Sequence, residues 1–259
     1  VRRASDEGFD QVNSVLLRPQ QITRLLFVVV AVLTGLSLIE SLVGRTSILK
    51  MGSESSLPTW YAASILLLSA ILLSLIARAK QRQHDTYAKH WTVLSLIFYV
   101  LSIDEIAKIH ERMGAVVGQN IAQWLVSDLE SLAPTQREVF NYAWVIVAIP
   151  LLILFFLAYL RFVTRLPPQV RTLFIMAAII FLSGAVGLET LSGYQHYLNG
   201  DQTWTYTLLT TLEEALEKIG TVVFIHALLL YISTYLDGMQ IVLEGKSSVA
   251  KKRSRAISR

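Results

Sequence analysis

The chain has 259 residues, of which 53% are hydrophobic and 16% charged, with a formal net charge of +4 and a mean hydropathy of +0.51. Soluble domains carry about 25% charged residues, so this composition argues against an ordinary soluble domain and reads as an integral membrane protein. The absence of cysteine excludes disulfides, thiolate-bound metals and cysteine nucleophiles.

Residues 1–21 read as a cytoplasmic segment ahead of the first apolar run. A helix needs about 20 apolar residues to cross the hydrocarbon core. Six stretches qualify: 22–43, 58–78, 91–110, 140–162, 172–194 and 208–236. The first has no small-x-small cleavage pattern after it and reads as a retained span, not a signal peptide. The third and sixth contain acids, and without them the chain would cross four times. Charge bias argues for six. With both termini inside, 17 of the 23 Lys and Arg fall on cytoplasmic segments, as the positive-inside rule requires.

Between the third and fourth spans, Val117, Ile121, Trp124, Leu125, Leu129 and Leu132 recur at helical spacing among polar residues. That pattern predicts an interfacial helix over 118–133, lying on the outer surface as a lid. Residues 237–259 form a basic tail, which reads as an anchor near anionic lipid and not as a nucleic-acid segment. The aromatics Trp60, Tyr61, Trp91, Tyr194 and Trp204 sit at span ends, where an interfacial belt accounts for them. The expected fold is all-α. It is a single six-helix transmembrane bundle over 22–236, with one extracytoplasmic interfacial helix and both termini cytoplasmic. The charge bias suits a bacterial cytoplasmic (inner) membrane or a thylakoid-type membrane.

The acids fall at one level. Glu40 is in the outer end of the first span and Glu189 in that of the fifth. Asp104, Glu105 and Glu111 are in that of the third. Glu213, Glu214 and Glu217 are in that of the sixth. At ~1.5 Å per residue, Asp104 lies about 9 Å below the level of His110. A charge at such depth costs at least ~2.5–3.5 kcal/mol and must face the bundle interior or a wet cavity. At 100° per residue, Asp104, Glu105, Lys108, Glu111 and Arg112 share one face of a continuous helix, and His110 points away from them. Glu189 and His196 nearly eclipse each other, with Ser192 and Gly193 beside them. Ser183, Gly184, Ala185 and Gly187 read as small residues that let another helix approach.

The stretch "SIDEIAKIHERMG" holds an Asp-Glu pair, four residues, then His-Glu. The stretch "TLEEALEKIG" holds Glu-Glu, two residues, Glu, two residues, then Gly. Together they resemble uncharacterised bacterial multi-pass membrane proteins that carry both patterns, over about a third of the chain. The resemblance carries no established activity. It implies that the two acidic segments belong together.

Eight acids at the outer level face three bases, Lys108, Arg112 and Lys218. Salt bridges cannot neutralise that excess. The first functional reading is a cation site, with a metal foremost, on Asp104, Glu105, His110, Glu111, Glu189, His196, Glu213, Glu214 and Glu217. Glu40, Lys108, Arg112 and Lys218 are its supporting residues. Oxygen and imidazole donors suit zinc, manganese, iron, magnesium or calcium. A metal there would serve hydrolysis through an activated water, or redox chemistry. Neither H-E-x-x-H nor Glu-x-x-His is present, and no catalytic residue is assigned. Haem is disfavoured, because only His110 and His196 share a level. The alternatives are an accessory subunit, in a larger membrane complex or a homo-oligomer, whose acids form a structural network, and a proton- or cation-coupled transporter. His226, alone in an inner half, reads as a satisfied core histidine.

Overall fold

The structure, a computed structural model, describes residues 18–43, 48–49, 56–110, 112–114, 116, 120 and 144–236. It is all-α, and six helices are long and apolar enough to cross a membrane. They are α1 (Pro19–Val43), α2 (Leu57–Arg82), α3 (Ala88–Ala107), α4 (Trp144–Arg165), a fifth composite helix, and α7 (Trp204–Tyr235). The fifth is made of α5 (Pro168–Leu182), a π-helical segment (Ser183–Leu188) and α6 (Glu189–Asn199). The interfacial helix expected over 118–133 lies outside the described residues, apart from Asn120, as does Glu111. Below, the outer ends are those that carry the acids.

Two helices start on side-chain caps. Ser56 Oγ accepts the Thr59 N–H ahead of α2, with Pro58 in the first turn. Thr203 Oγ1 accepts the Tyr206 N–H ahead of α7. Each cap satisfies one of the four N–H groups that a helix start leaves open.

The long helix α7 is the centre of the bundle and packs on α1, α2, α5, the π segment and α6. Val222, Ile225, Ala227 and Leu228 are wholly buried in it, the pattern of a helix enclosed by others. Helices in lipid gain little from the hydrophobic effect between them, so close backbone approach and interhelical hydrogen bonds carry the association. Gly220 shows the first. A Cβ there would sit 2.7 Å from the Phe181 nitrogen. Serines show the second. Ser95 Oγ donates to the Ala70 carbonyl at 2.9 Å and Ser102 Oγ to the Ala63 carbonyl at 2.8 Å, which stitches α3 to α2. Tyr61 Oη donates to the Leu26 carbonyl at 2.8 Å and ties α2 to α1.

The inner half is apolar. Trp91 stands edge-on to Phe162 and Phe174 and lies 5.0 Å from the Tyr231 ring. Trp91 is therefore not a belt residue. It is buried in the core, whereas Trp60, Tyr194 and Trp204 are exposed as a belt requires. Position at a span end fixes depth but not direction, and Trp91 faces the bundle. His226 Nδ1 lies 3.0 Å from Thr23 Oγ1 on α1, a satisfied core histidine.

Candidate functional site: an acidic cavity at the outer end

The site begins where α3 stops. Lys108 adopts a left-handed conformation (φ 49°, ψ 46°), and its N–H bonds to the Asp104 carbonyl at 2.7 Å. The chain turns, and helical geometry resumes at Ile109. The turn brings His110 back over Asp104. Its backbone N–H donates to Asp104 Oδ1 at 2.8 Å, and its Nδ1 lies 2.6 Å from Oδ2. This overturns the face expected for His110. A continuous helix through residue 110 would have aimed the imidazole away from Asp104, and one left-handed residue breaks the 100° phase on which that expectation rests.

A second break shapes the facing wall. The π segment at Ser183–Leu188 changes the phase of everything after it relative to an uninterrupted α-helix. Gly184 in it lies against α7, where a Cβ would meet the Glu213 carbonyl oxygen at 2.7 Å and Glu217 Cγ at 3.0 Å. A side chain there would push α7 away. Gly187, expected to serve the same contact, meets only the Leu182 carbonyl of its own helix, at 4.0 Å. Past the π segment, Ser192 is buried and its Oγ donates to Glu213 Oε2 at 3.0 Å. His196 is also buried, its ring 5.7 Å from that of Tyr206.

On α7, the Lys218 ammonium donates to the Glu214 carboxylate one turn away, and also to the Glu214 carbonyl at 3.3 Å. Lys218 is almost wholly buried. The pair answers the desolvation of that ammonium, which a buried charge requires.

These walls enclose a cavity of about 680 Å³. Asp104, Glu105, Glu189, Glu213, Glu214 and Glu217 line it, with Lys108, Arg112, His110 and His196. Thr59, Ser192, Tyr206 and Thr210 add hydroxyls. Lys218 stands behind Glu214. Glu40, expected to support the site, is buried in α1 and is not in the lining. Sharing a level is not sharing a cavity. The expected surplus of acid persists, with six lining carboxylates against Lys108, Arg112 and the adjacent Lys218. Asp104, Glu213 and Glu214 have the polar partners given above. The carboxylates of Glu105 and Glu217 make no hydrogen bond or ion pair within the described residues. No group of three or more His, Asp or Glu among those residues is arranged to hold a metal ion.

Thr59 and Tyr206 escaped the sequence reading. Tyr206 precedes the apolar run, which begins at Leu208. The signal was Thr203, a cap that starts α7 at Trp204 and sets Tyr206 in its first turn.

The chain belongs to the family described as a domain of unknown function, DUF8692, which matches residues 19–232. No curated protein and no solved structure matches it.

Proposed function

We propose that the outer cavity is a cation-binding site of this multi-pass membrane protein, with Glu105 and Glu217 as its primary carboxylates. The observation that carries the reading is the state of these two groups. Their carboxylates line the cavity of about 680 Å³, lack hydrogen-bond partners among the described residues, and lie beside other acids. A bound cation relieves the cost of charges held at that depth. Glu189, Glu213 and His196 stand around the same cavity as further donors. A divalent metal is the first candidate, because oxygen and imidazole ligands suit zinc, manganese, iron, magnesium or calcium. Such a metal would lower the pKa of a bound water and make the site hydrolytic.

A structural network within an accessory subunit is the second reading, and specific pairs favour it. Asp104 with His110, Glu213 with Ser192, and Glu214 with Lys218 already satisfy one another. Transport finds less support. Beneath the acids the core is apolar, with Leu73, Ile76, Trp91, Ile225 and Leu228 in it.

The test is thermal unfolding of the detergent-solubilised protein with Mn²⁺, Zn²⁺, Ca²⁺, Mg²⁺ or methylammonium, alongside elemental analysis. A ligand at 100 times its Kd stabilises the native state by about 2.7 kcal/mol. At least one cation should raise the Tm of the wild type but not that of Glu217→Gln or Glu105→Gln. If no cation is bound and none shifts the Tm, the structural network replaces the cation site.

A further inference from the structure

The acidic cavity does not end at its carboxylates. It shares Leu101, Leu152, Phe181 and Leu182 with a second space of about 520 Å³, between α3, α4, α5 and α7. That groove is apolar. The polar side chains in its lining are Tyr159 and Thr221, and both are engaged. Tyr159 Oη donates to the His90 carbonyl at 2.9 Å, and Thr221 Oγ1 to the Glu217 carbonyl at 2.8 Å. The groove offers water nothing to bond, and left empty it would forfeit the dispersion contacts of its lining. Within a bilayer, a hydrocarbon chain is the filling that meets both conditions.

We infer that the two spaces together hold one amphiphile, a long-chain amine, with its hydrocarbon chain in the groove and its ammonium among the carboxylates of the cavity. The inference rests on the cation reading and names the kind of cation. Charge selects the head. Among the described residues, six lining carboxylates outnumber the neighbouring cationic side chains. Order along the helices selects where the charge sits. Leu101 and Thr221 line the groove, and Glu105 and Glu217 each lie four residues farther out, about 6 Å at one helical turn. Lys108 and Arg112 come later still on the outer side. Lys218, one residue nearer the groove than Glu217, is bonded to Glu214 and is not in the lining, so among the lining residues a ligand that leaves the groove meets acid first and base second. An amine attached directly to the chain matches that order. An aminophospholipid reverses it and sets its phosphate against the carboxylates, a like-charge contact.

The experiment uses the full chain in nanodiscs of neutral lipid, with three probes: dodecylamine, dodecanol and propylamine. Binding is read as the Tm shift against probe concentration in the membrane, or in solution for propylamine. Variants are Glu217→Gln at the head and, independently, Ala178→Trp and Ile97→Trp, which line the groove but not the cavity. Dodecylamine should act at concentrations at least tenfold below those of either other probe. Glu217→Gln should erase its advantage over dodecanol. The tryptophan variants should erase its advantage over propylamine while keeping the propylamine response, which also reports an intact fold. Equal potency of dodecylamine and propylamine would overturn the amphiphile and leave the cation site standing. Equal potency of dodecylamine and dodecanol would show a chain groove that ignores charge, and would overturn the inference. No shift with any of these probes or with the metal ions would remove both.

Discussion

The imidazole Nδ1 of His110 lies 2.6 Å from Asp104 Oδ2, and the His110 backbone N–H bonds to the other carboxylate oxygen at 2.8 Å. One aspartate therefore closes the end of α3 twice. The contact needs Lys108 in a left-handed conformation, which only glycine adopts without penalty. Fold and cavity meet at this turn. The residues that end the helix also line the acidic space.

Asp104→Ala should destabilise the protein by about 1–3 kcal/mol, because it removes the acceptor of a part-buried N–H and the partner of the ring. Asp104→Asn should cost less, since it still accepts the backbone bond. Denaturant unfolding in mixed micelles measures the difference. Equal losses for the two variants would assign the stability to the charge instead of the turn.

At Lys108 the backbone and the charge can be separated. Lys108→Gly should be more stable than the wild type by up to about 1–2 kcal/mol, the Cβ penalty of the left-handed region, while Lys108→Val, whose β-branching worsens that penalty, should be less stable than the wild type. A higher Tm for valine than for glycine would contradict the geometry of this turn.

Lys218→Met leaves Glu214 without its partner, and Glu214→Gln leaves a buried ammonium. Breaking a buried pair from one side costs about 3–5 kcal/mol, whereas replacing both partners is often neutral. The double variant Glu214→Gln/Lys218→Met should thus be more stable than either single one. A double-mutant cycle gives the coupling directly, and additive losses would mean that the two do not act as a pair. For the same reason a metal measurement on Glu214→Gln would mix binding with folding. Glu105 and Glu217 are the better sites.

Gly184→Ala and Gly220→Ala each place a methyl group 2.7 Å from backbone of a neighbouring helix. Overpacking of this kind costs about 1–3 kcal/mol. Gly35→Ala, with nothing within 4 Å of the new Cβ, should instead stabilise α1 by up to about 1 kcal/mol. Thermal unfolding should place the first two variants below the wild type and Gly35→Ala above it.

Ser95→Ala removes a donor to the Ala70 carbonyl and a partner 2.7 Å away in Ser74. Interhelical hydrogen bonds in membranes are worth about 0.6 kcal/mol on average and about 1.7 at most. The expected loss lies within that range. A larger one would show that Ser95 also sets the spacing of α2 and α3.

The sequence by itself determined the number of spans, because each depends on about 20 consecutive residues compared with the thickness of a bilayer. It also placed the acids of four helices at one level, since depth follows from counting along a helix. Direction around a helix is different. It accumulates phase residue by residue, and a single departure from 3.6 residues per turn redirects all that follows. The left-handed Lys108 did this to His110. The π segment interrupts the same phase ahead of Ser192 and His196. Burial of Trp91, the pairing of Lys218 with Glu214, and the place of Glu40 outside the cavity depend on which helices become neighbours. Only the tertiary structure decided them. It also decided that the acidic cavity opens into an apolar groove, because that continuity is made by Leu101, Leu152, Phe181 and Leu182, from three helices whose adjacency no local pattern encodes.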